Sequence, residues 1–443
     1  MFLLRYTFIL LIFLAATLQV PAQTSHYDPS RSYSKDYLKA DLHILKDHLK
    51  ITNPGLYRYL SRVDFAVFFD SLDRTIDRPM NEQEFLRSIT LINGRIGDGH
   101  TMFLPSAAAA EYNNTKGKFL PFSVVYLGGK LYITENCSAD STIRRGEEVL
   151  RINGTPVPVI MEQLLTRQIR DANNQNYPLW ILNHYFTAYY SFSFGQPDQF
   201  LLELKEGDEP SHFKNITALT KDSIRHLRQL RYPANKSLGV TLEEEGQTCV
   251  LTIKSFDPDL IRSVYQQDFH RTIDSVFVLL KRHGVKNLIL DLRDNQGGDF
   301  EPGRHLLSYL LLKPSLFLLA GKASRLIHPR VNRFAGGLFV LINGGSFSNT
   351  AIVSSILERE KRAIFIGEET GGNKYIISGD PVGSELPHTR IQSYISTTTF
   401  WIRRGKNDGR GVVPSYPIAP TIGDILSQKD AAKECAFKLA SPL

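Results

Sequence analysis

The sequence has few of the residues that mark disulfide-rich or metal-bound proteins. Three cysteines, Cys137, Cys249 and Cys435, occur among 443 residues, which allows one disulfide and excludes a disulfide framework. Neither a CxxC nor an HExxH motif is present, so we expect no structural zinc site and no metal or other cofactor. No Gly-x-Ser-x-Gly motif occurs at residues 346–350, which disfavours an esterase of the α/β-hydrolase type.

Excess charge and long apolar runs are also scarce. The formal net charge is +7, and the basic residues are scattered in short groups such as Arg403-Arg404. This pattern is typical of solvated faces, so we expect no nucleic-acid partner. The apolar content of 42% is sufficient for a large core. No segment after the N-terminus approaches 18 apolar residues, so we expect no stable membrane span in the mature protein.

The N-terminus has the features of a targeting segment. Arg5 supplies a positive charge, Phe8–Leu18 is apolar, and Val20-Pro21-Ala22 carries small residues at the positions that a signal peptidase reads. We therefore predict a signal peptide over residues 1–22 and export to the periplasm or the extracellular space. The apolar segment is too short to cross a bilayer comfortably.

The N-terminal part of the predicted mature chain reads as helical. Apolar residues recur near a 3.6-residue period after residue 34, a second helix is predicted over Val63–Thr75, and Asn81 to Glu84 has the pattern of a capping box. After residue 118 the pattern changes to alternating strands, and Gly128-Gly129 indicates a hairpin. From residue 248 strands alternate with helices, which is typical of an α/β domain with a largely parallel sheet.

These changes of pattern divide the chain into segments. We predict a signal peptide, an N-terminal helical domain, a β-rich domain, a polar linker, an α/β core and a C-terminal helix or tail, at residues 1–22, 27–112, 118–206, 207–244, 245–425 and 426–443. Functional sites in α/β sheets lie at the carboxyl ends of the strands. Two segments follow such ends here, at 291–298 and 345–349.

Ser348 is the candidate nucleophile. It lies between the apolar run Leu338–Ile342 and a helix predicted from Thr350 to Glu358, so its hydroxyl stands at a strand-to-helix turn beside free helix amides. The alternative is that Ser348 only caps the helix. Ser346 is the nearest rival nucleophile.

Backbone amides near Ser348 are candidate oxyanion donors. The amide of Asn349 begins the helix, and Gly297-Gly298 follows a buried strand. Glycine allows positive φ angles and close approach of a ligand to the backbone, so one of these two amides is a good second donor.

A base and an orienting carboxylate are also present in the sequence. His100 follows Gly97-Asp98-Gly99 and is the candidate general base toward Ser348. Asp408, in Asp-Gly-Arg-Gly-Val-Val-Pro, is the candidate carboxylate that orients the imidazole, with Asp98 as its rival for this role. His388, the only histidine after Ser348, is the rival base under a hydrolase reading.

Together these motifs resemble the carboxyl-terminal (tail-specific) processing peptidase family, in its tricorn-core-like serine peptidase branch. The combination comprises Gly-Asp-Gly-His, Asp-Leu-Arg-Asp-Asn-Gln-Gly-Gly, Gly-Ser-Phe-Ser, Ile-Gly-Glu-Glu-Thr-Gly-Gly and Asp-Gly-Arg-Gly-Val-Val-Pro. Residues 143–154 are similar to the PDZ signature, which implies a PDZ-like domain that binds an extended peptide at a sheet edge.

The resemblance implies an acyl-transfer mechanism. Ser348 is then the nucleophile, His100 the base and Asp408 the carboxylate, where the branch has a glutamate. Gly297 and Asn349 supply the oxyanion amides. A second catalytic style in the family uses a lysine about 25 residues after the serine, where Asn373 stands with Lys374 beside it.

We expect an exported serine endopeptidase that acts on peptides or unfolded protein tails. The first alternative is an inactive peptide-binding protein with the same fold, favoured by the departures from the family pattern at 349–350, 373 and 408. A carrier of apolar ligands, similar to the retinoid-binding relatives, ranks lower because those proteins repeat the module and this chain has one. The oligomeric state stays open.

Overall fold

The computed structural model describes residues 27–232, 238–320 and 324–441. The predicted signal peptide lies outside these ranges. Within them, no helix combines the length and the apolar composition needed to cross a membrane. All three cysteines are free thiols, so the single disulfide that their number allows does not form.

The N-terminal segment is built mainly from helices, with short strands between them. Its elements are β1 (Ser32–Tyr33), α1 (Lys35–Thr52), α2 (Arg62–Thr75), β2 (Met80–Asn81), α3 (Glu82–Ile89), α4 (Leu91–Ile96), β3 (Met102–Leu104) and α5 (Ala107–Thr115). The predicted capping box is confirmed, since Asn81 and Glu84 each accept a hydrogen bond from the backbone amide of the other at 2.9 Å. Leucine and phenylalanine side chains on one face of α1, α2 and α3 form a common core.

The middle segment is a mostly antiparallel sheet covered by two helices. Its elements are β4 (Lys118–Phe119), β5 (Phe122–Leu127), β6 (Lys130–Asn136), β7 (Glu148–Ile152), β8 (Thr155–Pro156), α6 (Val157–Leu165), α7 (Asn176–Phe194), β9 (Gln199–Lys205) and β10 (His212–Thr217). The strand order is β10-β9-β7-β6-β5, with β8 paired to β7. The hairpin predicted at Gly128-Gly129 joins β5 and β6.

Residues 207–244, predicted as a linker, are largely in regular structure. They include β10, β11 (Leu219–Thr220), α8 (Lys221–Arg231) and most of β12 (Val240–Glu245). The segment is polar because most of its side chains face solvent; α8, for example, has no buried residue. Polar composition therefore indicated exposure rather than the absence of secondary structure.

The third segment contains a six-stranded sheet. After β12 its helices and strands are β13 (Thr248–Ile253), α9 (Pro258–Tyr265), α10 (Phe269–Arg282), β14 (Asn287–Asp291), α11 (Phe300–Leu310), β15 (Ser315–Leu316), β16 (Leu326–Ile327), β17 (Gly337–Ile342), α12 (Asn349–Arg359), β18 (Ile364–Gly367), β19 (Ile376–Gly379), β20 (Val382–Glu385), β21 (Gln392–Ile395), β22 (Thr398–Trp401), β23 (Tyr416–Pro417), α13 (Ile422–Ser427) and α14 (Ala431–Ala440). The order is β12-β13-β14-β17-β18-β23. Only the edge pair β12–β13 is antiparallel, so the predicted mostly parallel α/β sheet is confirmed.

Both faces of this sheet are covered, as a parallel sheet requires. Alternate residues of β17 point to opposite sides: Leu338 and Val340 join the large core beneath α10, α11 and α12, whereas Phe339 and Leu341 pack against α14. The continuous apolar run of β17 follows from this double burial. The sheet thereby fixes the positions of the loops at its carboxyl edge.

The hairpin β20–β21 connects the third segment to the N-terminal helices. Strand β21 pairs with β3, and Leu386, Ile391 and Ile395 belong to the helical core. Asp41 of α1 is fully buried and accepts hydrogen bonds from the amides of His388 and Thr389 at 3.1 and 2.9 Å. Because this contact joins residues 347 positions apart, it ties the first helix to the hairpin.

Replacement of Asp41 by alanine tests this connection. Asp41→Ala leaves buried amide donors and the Thr389 hydroxyl without their acceptor, so the free energy of unfolding should fall by about 2–3 kcal/mol. Urea unfolding followed by circular dichroism measures the change. Asp47→Ala on the same helix removes an exposed carboxylate paired with Lys50 and should change stability by less than about 0.5 kcal/mol. Equal effects of the two substitutions would contradict the role given to Asp41.

Candidate active site

Two loops meet at the carboxyl edge of the parallel sheet. Strands β14 and β17 are parallel neighbours, with Asp291 opposite Leu341. The loops that follow them, at 292–299 and 343–348, therefore leave the sheet side by side. Phe347 donates its amide hydrogen bond to the carbonyl of Asn295 at 3.2 Å, which joins the two loops directly.

Ser348 is held in a strained conformation at the start of α12. Its φ and ψ angles are 53° and −123°, a region of backbone conformation that residues other than glycine rarely adopt. The serine stands at the N-cap position, but its side chain makes no capping hydrogen bond. The hydroxyl is thus free for a partner outside the helix, which argues against a purely capping role.

That partner is His100. Nε2 of His100 lies 3.0 Å from Oγ of Ser348. The imidazole of His100 stacks on the ring of Phe347, with ring centroids 4.9 Å apart. The ring of Tyr177 also stacks on Phe347, with centroids 3.9 Å apart. The rings limit the orientation of the imidazole, so it faces the serine.

Two buried carboxylates hold the loop that carries His100. Asp98 accepts hydrogen bonds from the amides of His100 and Thr101 at 2.9 and 3.2 Å. Asp171 accepts from the amide of Gly99 at 3.1 Å, and a Cβ on Gly99 would lie 2.7 Å from the ring of Phe347. Gly99 is therefore needed for close packing of the histidine loop against the serine loop.

Burial lowers the pKa of His100 below its ordinary value, although the negative charges of Asp98 and Asp380 act in the opposite direction. Nδ1 of His100 is buried and has no hydrogen-bond partner within the described part of the chain. Asp98 thus forms hydrogen bonds with the backbone of the histidine loop and none with the imidazole ring. A neutral imidazole at neutral pH is the form that accepts a proton from serine.

Asp408 is not placed where the sequence suggested. Its carboxylate is exposed, accepts from the amide of Arg410 at 3.0 Å, and lies 3.6 Å from Nζ of Lys374. Nδ1 of His100 has no hydrogen-bond partner among the described residues, so the carboxylate–imidazole pair expected for Asp408 is not formed. The exposed carboxylate instead faces the ammonium group of Lys374, whose side chain is only 12% exposed, because the opposite charges attract.

The alternative candidates for the nucleophile and the base form contacts with other residues. Lys374 pairs with Asp408 and forms no hydrogen bond with Ser348. Ser346 is buried and donates to the carbonyl of Leu292 at 2.9 Å. His388 stacks on Tyr37 at 4.2 Å, in the contact between the hairpin and α1.

The glycine turn at 297–298 lies against Ser348, the candidate nucleophile. Both glycines have positive φ angles, 95° and 134°. The amide of Gly297 donates to the side chain of Asn295 at 2.9 Å, so Gly297, expected as an oxyanion donor, is already occupied. Within the residues that the structure describes, the amides of Gly298 and Asn349 have no acceptor. The arrangement favours Gly298 and Asn349 as the donor pair.

Two supporting residues have roles that the sequence did not predict: Asp171, which lies outside the motifs, and Asn295, which lies within Asp-Leu-Arg-Asp-Asn-Gln-Gly-Gly. Asp171 links the amides of Gly99 and Asn373, and Asn295 accepts from both Gly297 and Thr350. Their roles depend on which loops meet in space, so spacing along the chain could not reveal them. Asp291 and Arg293 of the Asp-Leu-Arg motif form a structural ion pair that also includes Asp430 of the C-terminal region.

Possible metal ligands do not coincide with the catalytic candidates. Among the described residues, the group of histidine and acidic side chains close enough to share an ion is His270, Glu301 and His305. These residues lie on α10 and α11. Ser348, His100 and Asp408 are not part of the group.

Comparison with known proteins supports a peptidase relationship. Residues 247–418 match the model of peptidase family S41. A stretch of 165 residues, 35% of this chain, is 27% identical to carboxyl-terminal-processing peptidase 2, chloroplastic, of Arabidopsis thaliana and covers 30% of that protein. Another of 104 residues, 23% of this chain, is 33% identical to the C-terminal processing peptidase, chloroplastic, of Tetradesmus obliquus and covers 22% of it. The matches thus span less than a third of the length of these curated relatives, and they confirm the resemblance found in the sequence.

The fold extends this likeness to nearly the whole chain. The structure is similar to that of mature CPAF, with a TM-score of 0.67 and 15% identity, over 92% of this chain and 96% of that chain. The S499A mutant of CPAF gives a TM-score of 0.69 at 14% identity, over 92% and 96% of the two chains. At this level of identity, the similarity concerns the fold.

The glycine turn provides a test of the site. A Cβ on Gly297 would lie 2.7 Å from the amide nitrogen of Asn349 and 2.8 Å from Cβ of Ser348, at a φ of +95°. The added methyl group would displace the amide of Asn349, a candidate oxyanion donor, so Gly297→Ala should lower the rate of serine acylation by about 10²–10³-fold, the effect of losing one such donor. The rate of labelling by a fluorophosphonate measures this change.

Gly246→Ala is the matched control. Gly246 also has a positive φ, +61°, but no atom lies within 4 Å of an added Cβ. Its substitution should leave the acylation rate nearly unchanged. Full activity of Gly297→Ala, with an unaltered circular dichroism spectrum, would remove the turn from the proposed site.

Proposed function

We propose that this chain, which carries a peptidase family S41 domain, is an exported serine endopeptidase that hydrolyses peptides or the tails of unfolded proteins. The hydrogen bond of 3.0 Å between His100 and Ser348 is the observation that carries the proposal. The strained backbone of Ser348 and the free amides beside it add to this support. Export rests on the targeting segment predicted over residues 1–22.

The proposed reaction begins with attack of Ser348 Oγ on a peptide carbonyl carbon. Nε2 of His100 takes the hydroxyl proton as the new C–O bond forms. The amides of Gly298 and Asn349 hold the negative oxygen of the tetrahedral intermediate. The C–N bond then breaks, His100 returns the proton to the leaving amine, and an acyl-enzyme remains.

Water completes the cycle. His100 removes a proton from a water molecule that attacks the acyl carbon, a second tetrahedral intermediate forms at the same amides, and Ser348 regains its proton as the ester bond breaks. We assign no direct role to Asp408 on the imidazole. Asp98 and Asp171 keep the histidine loop in place through its backbone.

The expected substrate class comes from the relatives. Two of them bear the name of C-terminal processing peptidases, so a free protein tail is the proposed substrate. The sheet of β5 to β10, predicted as PDZ-like, is the proposed place for an extended peptide. The alternative of an inactive peptide-binding protein is favoured by one observation, namely that Nδ1 of His100 lacks a partner.

Labelling with a fluorophosphonate tests the nucleophile and the base. We expect wild type to react, Ser348→Ala to lose all labelling, and His100→Ala to react about 10²–10⁴-fold more slowly. Lys374→Ala should retain labelling, because Lys374 pairs with Asp408 and not with Ser348. Loss in Lys374→Ala but not in His100→Ala would overturn the assignment of the base. An unreactive wild type would favour the binding protein.

The pH dependence of acylation tests the protonation state of the base. Burial lowers the pKa of His100 from its ordinary 6.5, and the imidazole acts as a base only when it is neutral. Activity should therefore fall on acidification, and the acid limb of the rate profile should have its midpoint below pH 6.5. Labelling rates from pH 4.5 to 8.5 give this midpoint. A midpoint above 6.5 would contradict the burial of the ring.

A further inference from the structure

Two neighbouring helices of the α/β core present a group of histidine and carboxylate side chains. His270 and Asp274 are four residues apart on α10, and Glu301 and His305 are four apart on α11. Residues at this spacing share one helix face. The faces meet: His270 contacts Glu301, and Nε2 of His305 lies 2.7 Å from Oδ1 of Asp274.

The positions of these groups fit a shared ion. One ligand atom each from His270, Glu301 and His305 lies within 4.8 Å of the others. The side chains of His270 and Glu301 are 39% and 53% exposed, so they can rotate to close the remaining distance. His305 is mostly buried, so its ring has little freedom to move and gives the group one fixed member.

We propose that His270, Glu301 and His305 form a binding site for a divalent transition-metal ion, with Zn²⁺ as the ion that suits the ligands best. Two imidazoles and one carboxylate are a ligand set that zinc accepts, with a further position for water or another carboxylate. Calcium and magnesium prefer oxygen ligands alone, so the two histidines disfavour them.

Neighbouring side chains orient His305, and one of them carries a positive charge that opposes the binding of a cation. Asp274 accepts hydrogen bonds from His305 and, at 2.6 Å, from the hydroxyl of Tyr309. A carboxylate bound to a ligating histidine orients the ring and raises metal affinity. Nδ1 of His305 is the ring nitrogen that remains for an ion, and it accepts a hydrogen bond from the Arg330 guanidinium at 3.2 Å. Binding of an ion therefore requires Arg330 to move aside, and the carboxylates of Asp274 and Glu301 offset its positive charge.

The site lies next to the glycine turn of the candidate active site. Helix α11 begins at Phe300, directly after residues 297–299, and Glu301 is in its first turn. The side chain of Asn349 donates to the carbonyl of Asp299 at 2.5 Å. A bound ion would therefore link α10 to α11, the helix that follows the glycine turn.

Zinc titration of untagged protein tests the proposal. Equilibrium dialysis against ZnCl₂ should give one tightly held ion per chain. His270→Ala and Glu301→Gln should each weaken this binding by at least about 10-fold, and Asp274→Asn by about 10–100-fold as a supporting group. Measurement in the Ser348→Ala background prevents self-cleavage and separates the result from the proposed peptidase function.

A second histidine–glutamate pair serves as the matched control. His283 and Glu244 are 2.9 Å apart and 41% and 44% exposed, but no third ligand completes a group around them among the described residues. The His283→Ala variant should bind Zn²⁺ as tightly as the wild type. Substitutions at the exposed positions 270 and 301 should preserve the circular dichroism spectrum, which separates lost binding from unfolding.

The outcome decides the proposal in either direction. In wild type and His283→Ala, saturating Zn²⁺ should raise Tm by roughly 2–5 °C, and His270→Ala should show no such shift. Bound Co²⁺ should give the visible absorption of a low-coordinate site in the same two proteins. Absence of a tight ion in wild type, or equal binding in all variants, would overturn the site.

Discussion

The hydrogen bond between His100 and Ser348 joins loops that are 248 residues apart, and the candidate site depends on it. His100 follows the helices of the N-terminal core, whereas Ser348 begins a helix of the α/β core. A small displacement of one core against the other would separate the two side chains. The contacts between the cores therefore matter as much as the residues themselves.

Asp171 shows how this alignment is held. Its carboxylate bridges the amides of Gly99 and Asn373, and the 370–373 loop in turn packs against Ser348. Burial raises the pKa of Asp171 to about 7, so enclosing the carboxylate has a cost. The two amide hydrogen bonds offset part of this cost, because an apolar side chain would leave both donors buried and unpaired.

The sequence predicted best the features that are local. Ser348, the glycine turn and the histidine loop could be singled out as candidates because strand ends, helix starts and glycine spacing are visible in consecutive residues. Asp408 was misplaced because the position of a loop residue does not tell where its side chain points. The polar composition of residues 207–244 predicted a linker but not the strands and the helix that the segment contains, since exposed faces of such elements are polar as well. Asp171 left no signal because its partners come from two distant loops.

The group of histidine and carboxylate side chains on α10 and α11 is a second example of an arrangement that the sequence alone does not reveal. A search for CxxC or HExxH finds ligands that are close together in the sequence, but here α10 supplies His270 and α11 supplies Glu301 and His305. Helical spacing puts His270 beside Asp274 and Glu301 beside His305, and only the packing of the helices brings the two pairs together. Since α11 also follows the glycine turn, packing that assembles the ligands also positions that turn. The core that specifies the fold thus connects two sites that the sequence presents as unrelated.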